Sequence, residues 1–208
     1  RRVQIIDNKG LLLKVKEPTR ITTVIPKAKH IGEGKVLVKW GLEEAQVLKN
    51  LRIKNVPSPI IAHYDWPGLH KPFAHQKTTA EFLTLHRRAF CFNEQGTGKT
   101  ASVIWAADYL LNVGAIRRVL VLCPLSIMQA AWGNDLFTFA MHRTCTIAHS
   151  YSKEKRIKAV NSEAEFVVCN FDGLEIIKEE VKAGGFDLVV IDEANSYKNV
   201  STKDRKST

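Results

Sequence analysis

The chain has 208 residues, 45% of them hydrophobic and 25% charged, a composition that favours a folded globular protein and excludes a disordered or collagen-like chain. No apolar run approaches the roughly 18 residues that a membrane-spanning helix needs, and no signal-peptide pattern opens the sequence. The four cysteines are far apart and include no C-x-x-C pair, so neither a disulfide framework nor a cysteine zinc site is expected. We therefore expect a cytoplasmic protein that has no membrane partner.

The net charge of +10 is concentrated near the N-terminus. Residues 1–60 contain 13 Lys and Arg against 5 Asp and Glu, a net charge of +8, whereas the rest of the chain carries +2. A basic region of this kind is typical of a surface that contacts nucleic-acid phosphates, and it is equally compatible with a solvated surface that has no partner. Charge alone leaves both interpretations open.

The pattern of the first 60 residues predicts a small β-rich domain. Short alternating or β-branched runs separated by turn residues predict strands over residues 3–6, 11–15, 20–25 and 35–40. Leu42, Ala45 and Leu48 then recur at helical spacing and predict a short helix that ends before Pro57. Residues 61–72 combine prolines with apolar side chains, so we expect an ordered linker there.

Beyond Pro72, strand and helix patterns alternate, as they do in a parallel α/β sheet. Strands are predicted over residues 88–92, 119–123, 144–148, 166–169 and 188–191. Helices are predicted over residues 75–86, 103–111, 126–139, 153–160 and 172–183, the third opened by a capping box of Ser126 and Gln129. The expected fold class is α/β, with a parallel-sheet lobe over residues 73–208 preceded by the basic β-rich domain of residues 1–60.

Residues 93–100, N-E-Q-G-T-G-K-T, lie between a predicted strand and a predicted helix and form a candidate phosphate-binding loop. They match the consensus G-x-x-x-x-G-K-[ST] at Gly98, Lys99 and Thr100, with Asn93 in place of the first glycine. Backbone N–H groups and the positive end of a helix dipole would face one point, which suits a polyphosphate. Lys99 would reach the phosphates and the Thr100 hydroxyl would bind Mg²⁺. The alternative is an incidental Gly-Thr-Gly turn.

A second motif, Asp192-Glu193, follows the last predicted strand. In α/β sheets such a position lies at the carboxyl edge, where ligands bind. Asp192 would hold Mg²⁺, and Glu193 would orient and deprotonate the attacking water. A carboxylate pair at the end of a strand is common on its own, so its value comes from the phosphate loop that precedes it, because the two motifs can serve one site.

The two motifs resemble motifs I and II of superfamily 2 helicases and translocases. Residues 96–100 (GTGKT) correspond to motif I and residues 192–194 (DEA) to motif II, with Asn195 where the D-E-A-H form has histidine. Residues 119–126 (VLVLCPLS) resemble motif Ia of the Swi/Snf-type branch. The resemblance covers residues 72–200, which it identifies as a first RecA-like lobe.

The resemblance also implies roles for single residues. Residues 73–76 (FAHQ) are similar to the Q motif, so Gln76 would recognise adenine. The residues that would contact the nucleotide are Gln76, Glu94, Gln95, Gly96, Thr97, Gly98, Lys99 and Thr100. Lys99 and Glu193 would be catalytic. The residues that would contact nucleic acid are Pro124, Leu125, Ser126, Asn170 and Phe171, for which helix capping by Ser126 and core packing by Phe171 are the alternatives.

The implied activity is ATP hydrolysis by a DNA helicase or double-stranded DNA translocase that uses ATP and Mg²⁺. The chain ends before motif III, so a second RecA-like lobe is expected in the same full-length protein. In comparable sites an arginine finger, which this family carries on that lobe, is worth on the order of 10³ to 10⁵ in rate, so the 208 residues alone are expected to be nearly inactive.

Two other functions stay open, a nucleotide-dependent interaction module and a motor subunit of a restriction or recombination complex. Residues 1–60 are weakly similar to phage-encoded members of the group, which would place the protein in the cytoplasm of a bacterial host.

Overall fold

The structure is a computed structural model that describes residues 3–89 and 98–192. The predicted strand over residues 88–92 falls largely outside this range. No helix in the described part of the chain is long and apolar enough to cross a membrane.

The chain divides into two compact units. The N-terminal unit consists of residues 1–66 and 72–106, and the C-terminal unit consists of residues 67–71 and 107–208. The predicted domain limits near residues 60 and 72 stay a prediction.

The N-terminal unit is built on an antiparallel sheet of four strands in the order β1-β2-β4-β3. The strands are β1 (Val3–Ile6), β2 (Gly10–Lys14), β3 (Lys29–Gly32) and β4 (Lys35–Lys39). Leu11 and Leu13 of β2 and Val36 and Val38 of β4 are at most 1% exposed, so alternate side chains of the paired central strands form the core. The predicted basic, β-rich sheet at the N-terminus is therefore confirmed.

The predicted strand over residues 20–25 is wrong, because this segment is helix α1 (Thr19–Val24). Pro18 precedes it in a helical backbone conformation, with φ −57° and ψ −33°, and Ile21 is the helix residue that is buried. The β-branched residues that favoured a strand therefore have no sheet neighbour, while proline suits the start of a helix. The sequence pattern also missed β3, whose side chains are largely exposed and show no apolar alternation.

Further helices follow the strands of the N-terminal unit along the chain. They are α2 (Leu42–Asn50), α3 (Ile60–His63) and α4 (Ala74–Leu85), followed by α5 (Lys99–Asn112), whose last residues belong to the C-terminal unit. Ala45 and Leu48 of α2 are fully buried in the same core as the strands. Trp40 is 2% exposed, and its indole N–H donates to the Pro57 carbonyl at 2.9 Å, which satisfies its one polar group.

The C-terminal unit contains a parallel sheet in the order β6-β7-β5-β8. The strands are β5 (Val119–Leu122), β6 (Cys145–Ile147), β7 (Phe166–Cys169) and β8 (Leu188–Ile191). Every residue of β5 and β7 is buried, as expected for central strands covered on both faces. The predicted α/β class with a parallel sheet is confirmed, and the bounds of β5, β7 and β8 agree with prediction within a residue.

The segment after β5 is helical, as predicted, but the predicted capping box is wrong. A 3₁₀ turn (Leu125–Ile127) leads into a π-helical turn (Met128–Gly133) and then into α6 (Asn134–Ala140). Ser126 forms no capping hydrogen bond, because the turn begins directly after Pro124. In the wider π turn, residues four apart face the same side, and Met128 and Trp132 are both at most 2% exposed.

The remaining helices are α7 (Lys153–Val160), α8 (Phe171–Ile176) and α9 (Lys178–Ala183). Helix α7 agrees with the prediction residue for residue. The single helix predicted over residues 172–183 is interrupted at Ile177, which is fully buried with φ −121°. Burial of this side chain in the core is thus accompanied by a break between α8 and α9.

A buried ion network stabilises the C-terminal unit around Arg143. The guanidinium Nε donates to Asp108 Oδ1 at 2.5 Å and Nη1 donates to Glu165 Oε2 at 2.6 Å. His142 Nε2 lies 2.7 Å from the same Asp108 oxygen. The Asp108 side chain is 0% exposed and that of Arg143 12%, so the pair is shielded from solvent.

Candidate functional site

The carboxyl ends of three parallel strands bring several of the predicted residues to one edge of the sheet. Leu122 of β5 is the register partner of both Cys169 of β7 and Ile191 of β8. The residues that follow these strand ends are Cys123 and Pro124, Asn170, and Asp192. This is the edge at which parallel α/β sheets bind their ligands.

Asp192 is held at this edge by two hydrogen bonds of different origin. Its backbone N–H donates to the Leu122 carbonyl at 2.8 Å, which continues the β5–β8 ladder by one residue. Its carboxylate Oδ2 accepts the indole N–H of Trp132 at 3.0 Å. Oδ1 has no hydrogen-bond partner among residues 3–89 and 98–192. The Trp132 indole therefore orients the carboxylate through Oδ2.

Trp132 is the site residue that sequence reasoning missed. It lies 60 positions from Asp192 and is 1% exposed in the π-helical turn. The available signal was a tryptophan in a helical run after β5, because a buried indole N–H normally finds a partner. The sequence pattern could not identify Asp192 as the acceptor of the indole N–H, because the contact depends on the register of the π-helical turn.

Negative charge from Asp192 affects its neighbours. The pKa of Asp135 is raised, first by burial and then by the charge of Asp192. Burial also raises the pKa of Cys123 to about 12, with further contributions from Asp192 and Cys169. The negative charge of Asp192 at this edge favours binding of a cation. No group of three or more His, Cys, Asp or Glu side chains suited to a metal occurs in the described ranges, so a cation here needs additional ligands, such as phosphate oxygens.

In the N-terminal unit, Gly98 is the first described residue of the candidate phosphate loop, and it lies against Gln76. Gly98 has φ +71°, a backbone conformation that favours glycine. Gln76 Nε2 donates to the Gly98 carbonyl at 3.4 Å, and Gln76 Oε1 accepts the Phe73 N–H at 2.9 Å. Gln76, 6% exposed, thus connects the first turn of α4 to the residue before α5.

Lys99 and Thr100 are the first residues of α5, and both are partly exposed. The first turn of this helix contains no acidic residue, so the positive helix end and the Lys99 ammonium act in the same sense on an anion. Ile104 and Trp105, both fully buried, anchor the helix behind them. The other predicted residues of the phosphate site, which are Glu94, Gln95, Gly96 and Thr97, and the catalytic candidate Glu193 lie outside the described residues and stay predictions.

The residues predicted to contact nucleic acid differ in their solvent exposure. Leu125 is 53% exposed, and Ser126 is exposed with no side-chain hydrogen bond to the described part of the chain. Asn170 Oδ1 is buried and has no partner within that same part. Phe171 is half-buried and packs against the core cluster on one face of the sheet, which agrees with the packing alternative. Nucleic-acid contact by these residues and by Pro124 stays a prediction.

One comparison with known proteins gives the family, and another gives the fold. The SNF2-related domain matches residues 35–208. A search of curated proteins gave no match. Among solved structures, the chain is similar to the Sulfolobus solfataricus SWI2/SNF2 ATPase core in complex with dsDNA, with a TM-score of 0.57 and 23% sequence identity. That likeness covers 66% of this chain and 29% of the Sulfolobus chain, so this chain spans under a third of that protein's length.

Proposed function

The chain belongs to the SNF2-related domain family, and from this premise we propose that it is the first RecA-like lobe of an ATP-dependent DNA helicase or double-stranded DNA translocase. The observation that carries the proposal is the Asp192 carboxylate at the carboxyl edge of the parallel sheet, oriented by Trp132 through one oxygen. A carboxylate at the end of a strand is the type of ligand that a nucleotide-bound cation requires.

In this proposal the two motifs hold one nucleotide. The backbone of residues 94–98 and the Lys99 ammonium bind the phosphates, while the Thr100 hydroxyl and the Asp192 carboxylate bind Mg²⁺. When bound, Mg²⁺ neutralises part of the phosphate charge. Glu193 orients the attacking water and accepts its proton.

Trp132 and Gln76 support the proposed nucleotide site through hydrogen bonds to Asp192 and Gly98. Trp132 keeps the Asp192 carboxylate in one rotamer, which lowers the entropy lost when that carboxylate binds a cation. Gln76 is proposed to recognise adenine, and its amide is already bonded to the Gly98 carbonyl, so adenine recognition and the position of the phosphate loop are linked through one side chain. Substituting Gln76 is therefore expected to weaken phosphate binding as well as base selectivity.

DNA is proposed to contact the carboxyl edge of the sheet through its phosphates. Ser126 offers an exposed hydroxyl and the loop at Asn170 offers backbone and amide N–H groups, which position a strand without reading its sequence. The proposal includes a second RecA-like lobe that completes the site. We therefore expect the 208 residues alone to bind ATP and to hydrolyse it far more slowly than the roughly 1 to 100 per second of ordinary phosphoryl-transfer enzymes.

Nucleotide binding is tested by titrating the chain with a fluorescent ATP analogue in the presence of Mg²⁺. Lys99→Ala is expected to weaken binding at least tenfold, because it removes the charge that contacts the phosphates. Lys158→Ala is the matched control, since Lys158 is an exposed lysine in a helix of the C-terminal unit. Equal affinities of the Lys99→Ala and Lys158→Ala variants would remove Lys99 from the proposed site.

The sequence departure at Asn195 favours a second function, a nucleotide-dependent interaction module in which hydrolysis is uncoupled from nucleic acid. Glu193→Gln separates the two functions when the chain is assayed with its second lobe. A motor loses DNA-stimulated hydrolysis and keeps its ATP affinity, whereas a binding module shows no DNA-stimulated hydrolysis to lose.

A further inference from the structure

A groove with a cavity volume of about 500 Å³ lies in the N-terminal unit, and its lining includes none of the residues assigned to the nucleotide. Two segments line it, one within residues 14–21, from the last residue of β2 into α1, and the other residues 51–54 after α2. Ile21, 1% exposed, and the half-buried Ile53 and Leu51 form an apolar floor that belongs to or packs against the core of this unit. The packing of this core therefore holds the floor of the groove in place.

The rim of this groove is strongly basic. Its charged side chains are Lys14, Lys16, Arg20, Arg52 and Lys54, opposed by the single carboxylate of Glu17, and all six residues are exposed. None of the five cations forms an ion pair or a side-chain hydrogen bond with any residue that the structure describes. The rim thus carries five positive charges and one negative charge. We call this surface the basic groove.

The backbone at Arg52 makes one groove cation suitable for substitution without a folding defect. Helix α2 ends in a Schellman motif, in which the Ile53 N–H bonds to the Leu48 carbonyl at 3.1 Å and the Arg52 N–H bonds to the Lys49 carbonyl at 2.9 Å. Arg52 occupies the left-handed position of this motif with φ +62°, where glycine or asparagine is preferred. Glycine at position 52 is therefore expected to keep the fold while it removes the guanidinium from the rim.

We propose that the basic groove binds the phosphate backbone of duplex DNA, as a contact that does not depend on ATP and lies outside the motor motifs. Its charges are exposed and carried on flexible side chains, which suits a polyanion that releases counterions on binding. A small phosphate ligand would instead require buried, convergent donors, and the groove presents an apolar floor. Such a contact would keep the N-terminal unit on DNA through the nucleotide cycle.

The proposal is tested by measuring binding of a short fluorescein-labelled DNA duplex to the chain without nucleotide, by anisotropy, across a range of salt concentrations. Lys14→Gln combined with Lys54→Gln removes two groove cations. Each lost phosphate contact lowers the slope of log K against log salt by about 0.9, so we expect a slope smaller by about 1.8 and a loss of affinity of roughly 10- to 60-fold at about 0.1 M salt.

The matched control combines Lys9→Gln in the turn between β1 and β2 with Lys39→Gln at the end of β4, which removes the same charge from exposed positions. In the β2–β4 ladder, Lys39 is the register partner of Gly10 at one end, whereas Lys14 is the partner of Lys35 at the other end. We expect this control to keep the salt slope of the parent chain. Equal losses in the groove variant and the control would show a diffuse charge effect and overturn the assignment.

Arg52→Gly makes the test independent of folding defects. Glycine relieves the left-handed backbone, so the melting temperature should hold or rise, while DNA affinity should fall by up to about tenfold at about 0.1 M salt. Unchanged affinity in a stable Arg52→Gly variant would contradict the proposal. So would displacement of the duplex by millimolar inorganic phosphate or by an acidic peptide, or the absence of DNA binding at low salt.

The outcome is separable from that of the proposed function. Groove variants should bind the fluorescent ATP analogue like the parent chain, and Lys99→Ala should leave nucleotide-free DNA binding unchanged. If the groove variants keep the DNA affinity of the parent while Lys99→Ala weakens ATP binding, the groove proposal is contradicted and the proposed function is supported. If the groove variants lose DNA affinity while Lys99→Ala keeps the ATP affinity of the parent, the groove proposal is supported and the proposed nucleotide site is contradicted.

Discussion

Replacing Trp132 by phenylalanine removes the hydrogen bond to Asp192 while keeping an aromatic ring in the buried π-helical turn. The bond is 3.0 Å long and its acceptor is a carboxylate. Hydrogen bonds to charged groups contribute about 1.5 to 3 kcal/mol. Because Asp192 is only half-buried and water can replace the indole, we expect the lower end, about 1.5 kcal/mol. The smaller ring leaves a cavity that adds roughly 1 to 2 kcal/mol to the single substitution.

A double-mutant cycle separates the bond from the cavity. The free energy of unfolding is measured by urea denaturation, followed by circular dichroism, for the parent chain, Trp132→Phe, Asp192→Ala and the double variant. The cavity cost appears in both arms of the cycle and cancels. A coupling energy near 1.5 kcal/mol supports the contact, and a value below about 0.5 kcal/mol would refute the reasoning that Trp132 orients Asp192.

Two further predictions concern stability. Arg143→Met leaves the 0% exposed Asp108 side chain without its guanidinium partner and should cost about 3 kcal/mol in urea unfolding, so a cost below about 1 kcal/mol would show that the network is dispensable. The pKa of Glu81 is raised by burial, which outweighs the hydrogen bond from the Ser58 N–H, so its carboxylate form lowers stability as pH rises above the unfolded-state pKa. Glu81→Gln should therefore be more stable than the parent by under about 1 kcal/mol at neutral pH and equal to it near pH 4, whereas the opposite trend would contradict the burial effect.

The central strands of the parallel sheet could be predicted because strands that are buried on both faces consist of uninterrupted apolar residues. Strands β5 (VLVL) and β7 (FVVC) are uninterrupted apolar runs, and both are fully buried. Strand β3 (KHIG) lies at the edge of its sheet and is largely exposed, so its sequence contains no apolar alternation to recognise. In α1, β-branched residues favoured a strand, but the position of Pro18 and the lack of a partner strand favour a helix.

The candidate site could be predicted only in part, because its motifs are local and its supporting contacts are not. The spacing of the motifs indicates Lys99, Thr100 and Asp192 without knowledge of the fold. The Trp132 contact joins residues 60 positions apart through a π turn, and apolar periodicity does not encode that hydrogen-bond register. The bond from Gln76 to the Gly98 carbonyl joins residues 22 positions apart and likewise depends on how α4 packs beside the start of α5.

The proposed family function depends most directly on one magnesium nucleotide site that uses both Lys99 and Asp192. Affinity for a fluorescent ATP analogue, measured with Mg²⁺ and again with a chelator, tests this in the parent chain, Lys99→Ala and Asp192→Asn. We predict that Mg²⁺ strengthens binding to the parent, that Asp192→Asn loses this increment while keeping metal-free binding, and that Lys99→Ala weakens both. Parent affinity that is independent of Mg²⁺, or an Asp192→Asn variant that responds to Mg²⁺ like the parent, would contradict the account.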